Sequence, residues 1–228
     1  MNLPALTRLP IFAAFAAALV ACAQSASPTA SEPLFDGKSH AGWKASSEDP
    51  GSFKVVDGAL QVRGGKGHLF YVGKDGAASF TDFDFSAKVR TYEGANSGLY
   101  FHTKFEDKGW PYAGYECQVN ATHKDIKKTG GLYAVQDVLN TPAAPDGEWF
   151  DYRIRVEGKR VQIWINGRQT VDFTEPADWT PPKGMPGRRL SSGTFAIQAH
   201  DPGCKVDYKD IRVTRLRGAL RRGPSRGP

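Results

Sequence analysis

Apolar and polar residues alternate along much of the chain, with the period of two that predicts β-strands. The alternation is clearest over residues 82–92, where the apolar positions are Phe83, Phe85, Ala87 and Val89. No stretch of useful length repeats its apolar residues with the period of a helix. The pattern therefore predicts an all-β protein.

Turn residues divide these alternating segments and predict which strands pair. Asp57-Gly58, Gly158-Lys159 and Asn166-Gly167 predict three hairpins, between strands 53–56 and 60–63, 149–157 and 160–166, and 160–166 and 169–173. Further strands are predicted at 69–72, 82–92, 98–103, 115–120, 195–200 and 205–216. About eleven strands separated by turns indicate a single antiparallel β-sandwich.

The composition supports this interpretation. The chain has 228 residues, with 25 Gly, 15 Pro, 13 Phe, 8 Tyr and 5 Trp. Turn formers and aromatic residues at this density favour many short strands over long helices. Three predicted loops, 104–114, 123–130 and 138–148, are long enough to carry functional side chains.

The N-terminal segment predicts export. Residues 11–20 form an apolar run after Arg8, too short for a permanent membrane span and typical of a signal peptide. Leu19-Val20-Ala21-Cys22 fits a bacterial lipobox, so we expect a lipoprotein signal at 1–21, lipidation of Cys22 and a flexible tether at 22–33. Ala21-Cys22-Ala23 also fits ordinary secretory cleavage. The expected location is therefore the bacterial cell envelope, anchored at the periplasmic face of the outer membrane, or the outside of the cell.

Charge and cysteine content limit the partners. The net charge is +6, but six Arg and no acid lie within residues 212–226, and residues 217–228 are predicted to be a basic disordered tail. The globular part, 34–216, is near neutral, so we expect no nucleic-acid partner and a membrane contact through the lipid anchor.

Cys117 and Cys204 are compatible with one disulfide or with buried free thiols. The sequence does not indicate an oligomeric state.

Several strands carry a distinctive set of polar residues opposite their apolar face. These residues have hydrogen-bonding groups of fixed geometry, suited to hydroxyl-rich ligands, and are Arg90, Tyr100, His102, Glu116, Gln118, Asn120, Gln198 and His200. Glu116 paired with Arg90 across a sheet is the alternative structural interpretation.

A series of motifs gives the chain a family resemblance. In order, they are LFDGKSHAGW (34–43), VVDGAL (55–60), TDFDFSAKVR (81–90), ANSGLYFH (95–102), GYECQV (114–119), TGGLY (129–133), GEWFDYRIRVEG (147–158), WINGRQTVDF (164–173) and FAIQAH (195–200). The chain resembles the 3-keto-disaccharide hydrolase family over about residues 34–216. The resemblance implies a jelly roll of the concanavalin A-like lectin/glucanase type. His102 stands where family members commonly carry Arg, and Asn120 where they often carry Asp.

The resemblance implies action on an oxidised oligosaccharide or glycoside that carries a ketone at sugar carbon 3. The ketone acidifies the proton on carbon 2, so a base can remove it and the group on carbon 1 leaves by β-elimination. Addition of water then gives net hydrolysis. The reaction needs a base, an oxyanion stabiliser and an acid for the leaving oxygen, but not the paired carboxylates of ordinary glycosidases.

The motif matches and the sorting of faces suggest roles for individual residues. Glu116 and His200 are the acid/base candidates. The other candidates orient the sugar (Gln118, Asn120 and Gln198), stabilise the oxyanion (Arg90 and His102), stack on or donate to the ring (Tyr100 and Tyr133) or form a sugar platform (Trp110). Glu116 and His200 are also candidate ligands of a divalent cation, Ca, Mg or Mn, that would polarise the ketone.

Two other functions fit the same fold. A non-catalytic, lectin-like carbohydrate-binding module is the main alternative, and a structural surface protein is another. Titratable residues on one face of several strands favour the enzyme, because lectins more often use aromatic residues and loop-bound calcium.

Overall fold

The computed structural model describes residues 30–216. This part of the chain forms β-strands and one short 3-10 helix, Pro50–Ser52. The strands, in chain order, are β1 (Glu32–Pro33), β2 (Trp43–Ala45), β3 (Phe53–Val56), β4 (Ala59–Arg63), β5 (Gly67–Tyr71), β6 (Phe83–Thr91), β7 (Ser97–Thr103), β8 (Tyr115–Val119), β9 (Lys127–Leu132), β10 (Gln136–Leu139), β11 (Phe150–Glu157), β12 (Arg160–Ile165), β13 (Arg168–Thr174), β14 (Thr194–Ala199) and β15 (Lys205–Arg215).

The strands form two antiparallel sheets. The first has the order β13-β12-β11-β6-β15-β4-β3, with β1 paired to β15. The second has the order β10-β9-β8-β7-β14-β5-β2. The predicted all-β antiparallel sandwich is confirmed, and so are the three predicted hairpins, β3–β4, β11–β12 and β12–β13.

The structure has more strands than the sequence predicted. β9 begins at Lys127, inside the predicted loop 123–130, and β10 ends at Leu139, inside the predicted loop 138–148. Glu32 pairs with Val213, so the sandwich begins slightly before Leu34, within the segment predicted as a tether. The predicted signal peptide, Cys22 and the basic tail 217–228 lie outside the described residues.

The core lies between the two sheets. The alternating apolar side chains of β6 are buried there, as predicted, together with Cys117 and Cys204. These two cysteines are free thiols, so the disulfide alternative is wrong. Within residues 30–216, the structure has no helix of the length and apolar character needed to cross a membrane.

The two sheets differ on their outer faces. In β6 and β11 of the first sheet, buried residues alternate with more exposed ones. In β7, β8 and β14 of the second sheet, every residue is buried. Polar side chains on the outside of the second sheet are therefore covered by loops, and this covered face holds the candidate site.

Candidate functional site

A cavity of about 410 Å³ opens on the outer face of the second sheet. This volume lies within the range of roughly 300 to 1,000 Å³ typical of small-molecule sites. The cavity is lined by Asn96, Tyr100, Trp110, Pro111, Tyr112, Glu116, Gln118, Asp125, Tyr133, Gly184, Met185, Pro186, Arg188, Gln198 and His200. Seven of the predicted site residues are among them: Tyr100, Trp110, Glu116, Gln118, Tyr133, Gln198 and His200.

The strand register explains why four of these side chains meet. Tyr100 on β7 lies opposite Glu116 on β8, and Gly98 lies opposite Gln118. β14 flanks β7 on its other side and contributes Gln198. Residues two apart on a strand share a face, so the polar positions of neighbouring strands form one surface.

Glu116 is the most buried carboxylate of the cavity, with 6% of its surface exposed. Its Oε2 accepts a hydrogen bond of 2.7 Å from the Tyr100 hydroxyl, and its Oε1 accepts one of 3.1 Å from Gln198 Nε2. Burial raises the pKa of Glu116, and the Arg188 guanidinium opposes this effect. A carboxylate with a raised pKa is a stronger base, as expected of a group that removes a carbon-bound proton.

Arg188 is the charged residue beside Glu116 in the cavity, and the sequence pattern did not indicate it. Its Nη2 lies 3.4 Å from Glu116 Oε2, and both side chains are almost completely buried. Arg188 Nη1 donates to the carbonyl oxygens of Pro111 and Gly114, while its Nε has no hydrogen-bond partner among the described residues. The length of the segment between β13 and β14 was the available signal, because long irregular segments often carry functional side chains.

Contacts with the second sheet and within the segment hold it in place. Gly114 N donates to Gly187 O at 3.0 Å. A Cβ on Gly187 would lie 2.1 Å from Tyr112 O, so only glycine permits the approach. The side chain of Glu175 accepts hydrogen bonds from the Tyr115 hydroxyl and from the Leu190 amide. Arg188 is therefore carried by a fixed segment.

Two amide side chains supply unused hydrogen-bonding groups. Gln118 Nε2 donates to Asn96 Oδ1 at 3.0 Å, and Gln198 Nε2 donates to the Tyr100 hydroxyl at 2.9 Å. The Oε1 atoms of Gln118 and Gln198 are buried and have no partner in the described part of the chain. Buried polar atoms are rarely left unpaired, so these two oxygens are candidates for ligand contacts.

His200 is oriented by a neighbouring carboxylate. Its Nδ1 lies 2.8 Å from Asp201 Oδ2, and His123 Nε2 lies 3.4 Å from the same oxygen. Because a carboxylate oxygen accepts, His200 Nδ1 donates in this contact, and Nε2 is the ring nitrogen that does not contact Asp201.

Aromatic side chains form the rim of the cavity. Trp110, 45% exposed, packs against His200 with ring centroids 5.2 Å apart. Tyr133 lies beneath Lys127, whose Nζ is 3.9 Å from the ring centroid. Both occupy positions where a sugar ring could stack.

Three predicted site residues lie elsewhere, and Arg90 is the clearest correction. It belongs to β6 in the first sheet, where its guanidinium donates to Asp207 Oδ2 at 2.8 and 3.2 Å. Its predicted contact with the sugar is wrong, as is the alternative pair with Glu116. The period of two identifies the outward face of a strand, but not the sheet to which the strand belongs.

His102 is also outside the cavity. Its φ of +57° breaks the alternation of β7 and turns the ring against Phe83 and Phe101. Nε2 donates to Thr81 O at 2.9 Å, and Nδ1 accepts from Ser191 N at 3.3 Å. Burial lowers its pKa. The predicted oxyanion role of His102 is wrong, because both ring nitrogens already have structural partners.

Asn120 supports the site without lining it. The side chain is completely buried, and Nδ2 donates to the carbonyl oxygens of Asp125 and Lys127. These bonds hold the turn that carries Asp125 into the cavity. The predicted sugar contact of Asn120 is therefore replaced by a role in fixing this turn.

The side chains of the cavity do not fit the candidate divalent cation. The described residues contain no group of three or more His, Cys, Asp or Glu side chains placed to hold a metal ion. Glu116 already accepts from Tyr100 and Gln198, and the positive charge of Arg188 beside it disfavours a second cation.

Solved structures with the same fold include a protein provisionally classed as a glycosyl hydrolase and proteins that bind carbohydrate. A Parabacteroides distasonis ATCC 8503 protein provisionally classed as a glycosyl hydrolase is 24% identical, with a TM-score of 0.69 over 82% of this chain and 94% of its own. The carbohydrate-binding module CBM66 of Bacillus subtilis is 16% identical, with a TM-score of 0.53 over 76% and 95%. The exoplasmic/lumenal domain of VIP36 in its Ca²⁺/Man3GlcNAc-bound form is 9% identical, with a TM-score of 0.55 over 83% and 89%. These similarities show the fold.

Among curated proteins, none matches the chain. The model of one protein family matches residues 30–214, which is nearly all of the sandwich and the whole cavity. The chain belongs to the family of 3-keto-alpha-glucoside-1,2-lyase-like domains.

Proposed function

We propose that this protein cleaves 3-keto-glycosides or 3-keto-disaccharides by removing the proton on carbon 2 and eliminating the group on carbon 1. One observation carries the proposal. Glu116 and His200 line one cavity with the unpartnered amide oxygens of Gln118 and Gln198. Acid/base groups and hydrogen-bonding groups for a sugar are therefore combined in one enclosed space.

Glu116 is the proposed base. Its carboxylate takes the proton from carbon 2, and the electron pair of the broken C–H bond forms the C2–C3 double bond while charge moves to the oxygen on carbon 3. Arg188 lies beside Glu116, and its unpartnered Nε is a donor for that oxygen. A fixed positive charge in a water-poor cavity stabilises such an oxyanion strongly.

His200 is the proposed acid. When the C1–O bond breaks, the electrons of the enediolate form a C1–C2 double bond and restore the ketone. The leaving oxygen takes a proton from imidazolium Nε2 of His200, and Asp201 stabilises the charged ring before transfer. Addition of water across the new double bond would give the 3-keto sugar, the product of net hydrolysis.

The test is turnover of 3-keto-trehalose and 3-keto-cellobiose, followed by NMR, with the unoxidised disaccharides as controls. We expect cleavage of the oxidised sugars only, because the reaction needs the acidic proton beside the ketone. Glu116→Gln and His200→Asn should each reduce kcat by about 100-fold or more. The matched variants Glu157→Gln and His40→Asn, at exposed positions, should keep full activity. Full turnover in Glu116→Gln would refute the mechanism.

A carbohydrate-binding module without catalysis is the second candidate. The similarity in fold to CBM66 and the two unpartnered amide oxygens favour it. Retention on a polysaccharide without any product from 3-keto sugars would support this candidate against the enzyme.

We further propose that the protein works in the bacterial cell envelope, anchored through a lipid on Cys22. The apolar segment 11–20 and the sequence Leu19-Val20-Ala21-Cys22 support this location. Labelling of the wild type with a radioactive fatty acid, lost in Cys22→Ser, would confirm the anchor. Cleaved but unlabelled protein in the medium would instead indicate plain secretion.

A further inference from the structure

His68 is a buried histidine whose ring has no hydrogen-bond partner. It lies on β5 opposite Gln198 of β14, and none of its surface is exposed. Neither Nδ1 nor Nε2 has a partner among the described residues. His102, another deeply buried histidine, has partners for both nitrogens.

The surroundings of His68 do not explain a histidine. Its ring packs edge-on against Tyr100 at 5.7 Å and Trp110 at 5.5 Å, and Phe70 lies 6.1 Å away. Burial lowers its pKa to about 4, so the ring is neutral near pH 7, with one N–H donor and one acceptor unused. A phenylalanine would fill the same space without burying two unpaired polar atoms.

Trp110 lines the cavity and packs against His68, which does not line it. The indole centroid lies 5.5 Å from the His68 ring and 5.2 Å from the His200 ring, Lys66 Nζ lies 5.0 Å from the indole, and Trp110 is 45% exposed. Hydrogen bonds with Ser47 and Glu48 hold its loop at Asp107 and Gly109, and both are exposed. Exposed hydrogen bonds are weak restraints, and a rotation of the Trp110 side chain is the movement that would open the cavity toward His68.

The neighbours of His68 point to its ligand. Gln198, directly opposite on β14, presents the unpartnered Oε1 on the same face of the sheet. An acceptor and a donor on adjacent strands lie about 5 Å apart, which suits neighbouring hydroxyl groups of a sugar ring.

We propose that His68 is a sugar-binding residue, covered by Trp110 in the free protein and paired with Gln198 in a subsite for the hydroxyl groups of the glycoside. The identity of this ligand as an oxidised glycoside rests on the proposed function, whereas the subsite itself does not.

The variant His68→Phe distinguishes a sugar-binding role of His68 from a packing role, because a binding role predicts a loss of activity without a loss of stability. We expect the variant to be at least as stable as the wild type, with kcat/KM for 3-keto-cellobiose reduced about tenfold or more, mainly through KM. His68→Gln, which keeps a donor and an acceptor, should recover part of this loss. His40→Asn is the matched control at an exposed histidine.

A second measurement does not depend on a variant that folds. Ring ¹⁵N shifts of His68 in the wild type should change when 3-keto-cellobiose or cellobiose is added, because a nitrogen gains a hydrogen bond. If the wild type cleaves 3-keto sugars while His68→Phe has an unchanged KM and His68 shifts stay constant, the subsite is refuted and the proposed function survives. If the wild type cleaves no 3-keto sugar, and the ¹⁵N shifts of His68 nevertheless change when cellobiose is added, the proposed function fails and the subsite survives. If the wild type cleaves no 3-keto sugar and the His68 shifts do not change, both the proposed function and the subsite are refuted.

Discussion

Gly98 and Glu116 lie on neighbouring strands, and a Cβ on Gly98 would be 2.6 Å from Glu116 Oε1 and 3.0 Å from its Cγ. The carboxylate therefore lies across the space left by a missing side chain. Because Glu116 is hydrogen-bonded through both carboxylate oxygens, a displacement of the carboxylate would break these bonds to Tyr100 and Gln198.

Gly98→Ala should consequently displace the Glu116 carboxylate and reduce kcat by about 100-fold, as expected for a catalytic group moved by about an ångström. Steady-state kinetics with 3-keto-cellobiose measures this effect. Adding Glu116→Asp to Gly98→Ala shortens the carboxylate side chain and should recover part of the loss.

Gly51→Ala is the matched control, since a Cβ there meets only Asp49 Oδ1 at 3.6 Å. If Gly98→Ala retained wild-type kcat, the position of the Glu116 carboxylate would not matter for the reaction.

Removal of Arg188 should move the pH profile. The guanidinium opposes the upward effect of burial on the pKa of Glu116, so its loss raises that pKa further. The acidic limb of the kcat/KM profile, which reports the base of the free enzyme, should therefore shift to higher pH in Arg188→Met. A large fall in kcat should accompany the shift if Arg188 also stabilises the oxyanion.

Arg189→Met tests the neighbouring arginine on the same segment and should leave the limb in place. An unshifted limb in Arg188→Met would show that Glu116 is not the titrating base.

Asp201→Asn should impair His200 as the proposed acid. The neutral amide introduced by this substitution would no longer stabilise the imidazolium form of His200, which donates its Nε2 proton to the leaving oxygen. We expect kcat to fall by at least about tenfold with little change in stability. Ring ¹⁵N shifts of His200 would record the loss of the Nδ1 hydrogen bond to the carboxylate, and Asp57→Asn, at an exposed turn, should change neither kcat nor these shifts.

The stability of the protein should depend on pH through His68. The unfolded imidazole titrates near 6.5, whereas burial lowers the folded pKa to about 4. Between these values the unfolded state binds more protons, so the free energy of unfolding falls as the pH drops from 6.5 and levels off near 4. The difference between the unfolded and folded pKa values of His68 corresponds to a loss of about 3 kcal/mol in the free energy of unfolding. Urea titrations at pH 7 and pH 4.5 should show a smaller loss for His68→Phe than for the wild type.

Asp207 should matter for stability and not for catalysis. Its carboxylate is completely buried and binds Arg63, Arg90 and the Tyr92 hydroxyl on the first sheet. Asp207→Asn would leave two partly exposed arginines without their counter-charge and should cost about 2 kcal/mol. Because this cluster lies on the sheet that does not line the cavity, kcat of the folded variant should equal that of the wild type. A reduced kcat in Asp207→Asn would indicate that the Arg90 cluster contributes to catalysis after all.

The local pattern of apolar, polar and turn residues determined the fold class, the hairpins and the outward face of several strands. Alternation in β6 and the Asp57-Gly58, Gly158-Lys159 and Asn166-Gly167 turns depend only on neighbours along the chain, so both the sandwich and its hairpins could be predicted. The same alternation identified Tyr100, Glu116, Gln118 and Gln198 as outward polar residues, and one cavity contains all four.

The tertiary structure decided which of these outward faces belong together. Arg90 and Glu116 have the same local pattern, yet their strands lie in different sheets, because sheet membership depends on contacts between residues far apart in sequence. A positive φ removed His102 from the outward face, and an irregular segment brought Arg188 to Glu116. Neither feature has a periodic signal in the sequence, because long-range packing fixes the irregular backbone. The sequence alone therefore indicated the acid/base candidates Glu116 and His200, but not the positive charge of Arg188 beside Glu116.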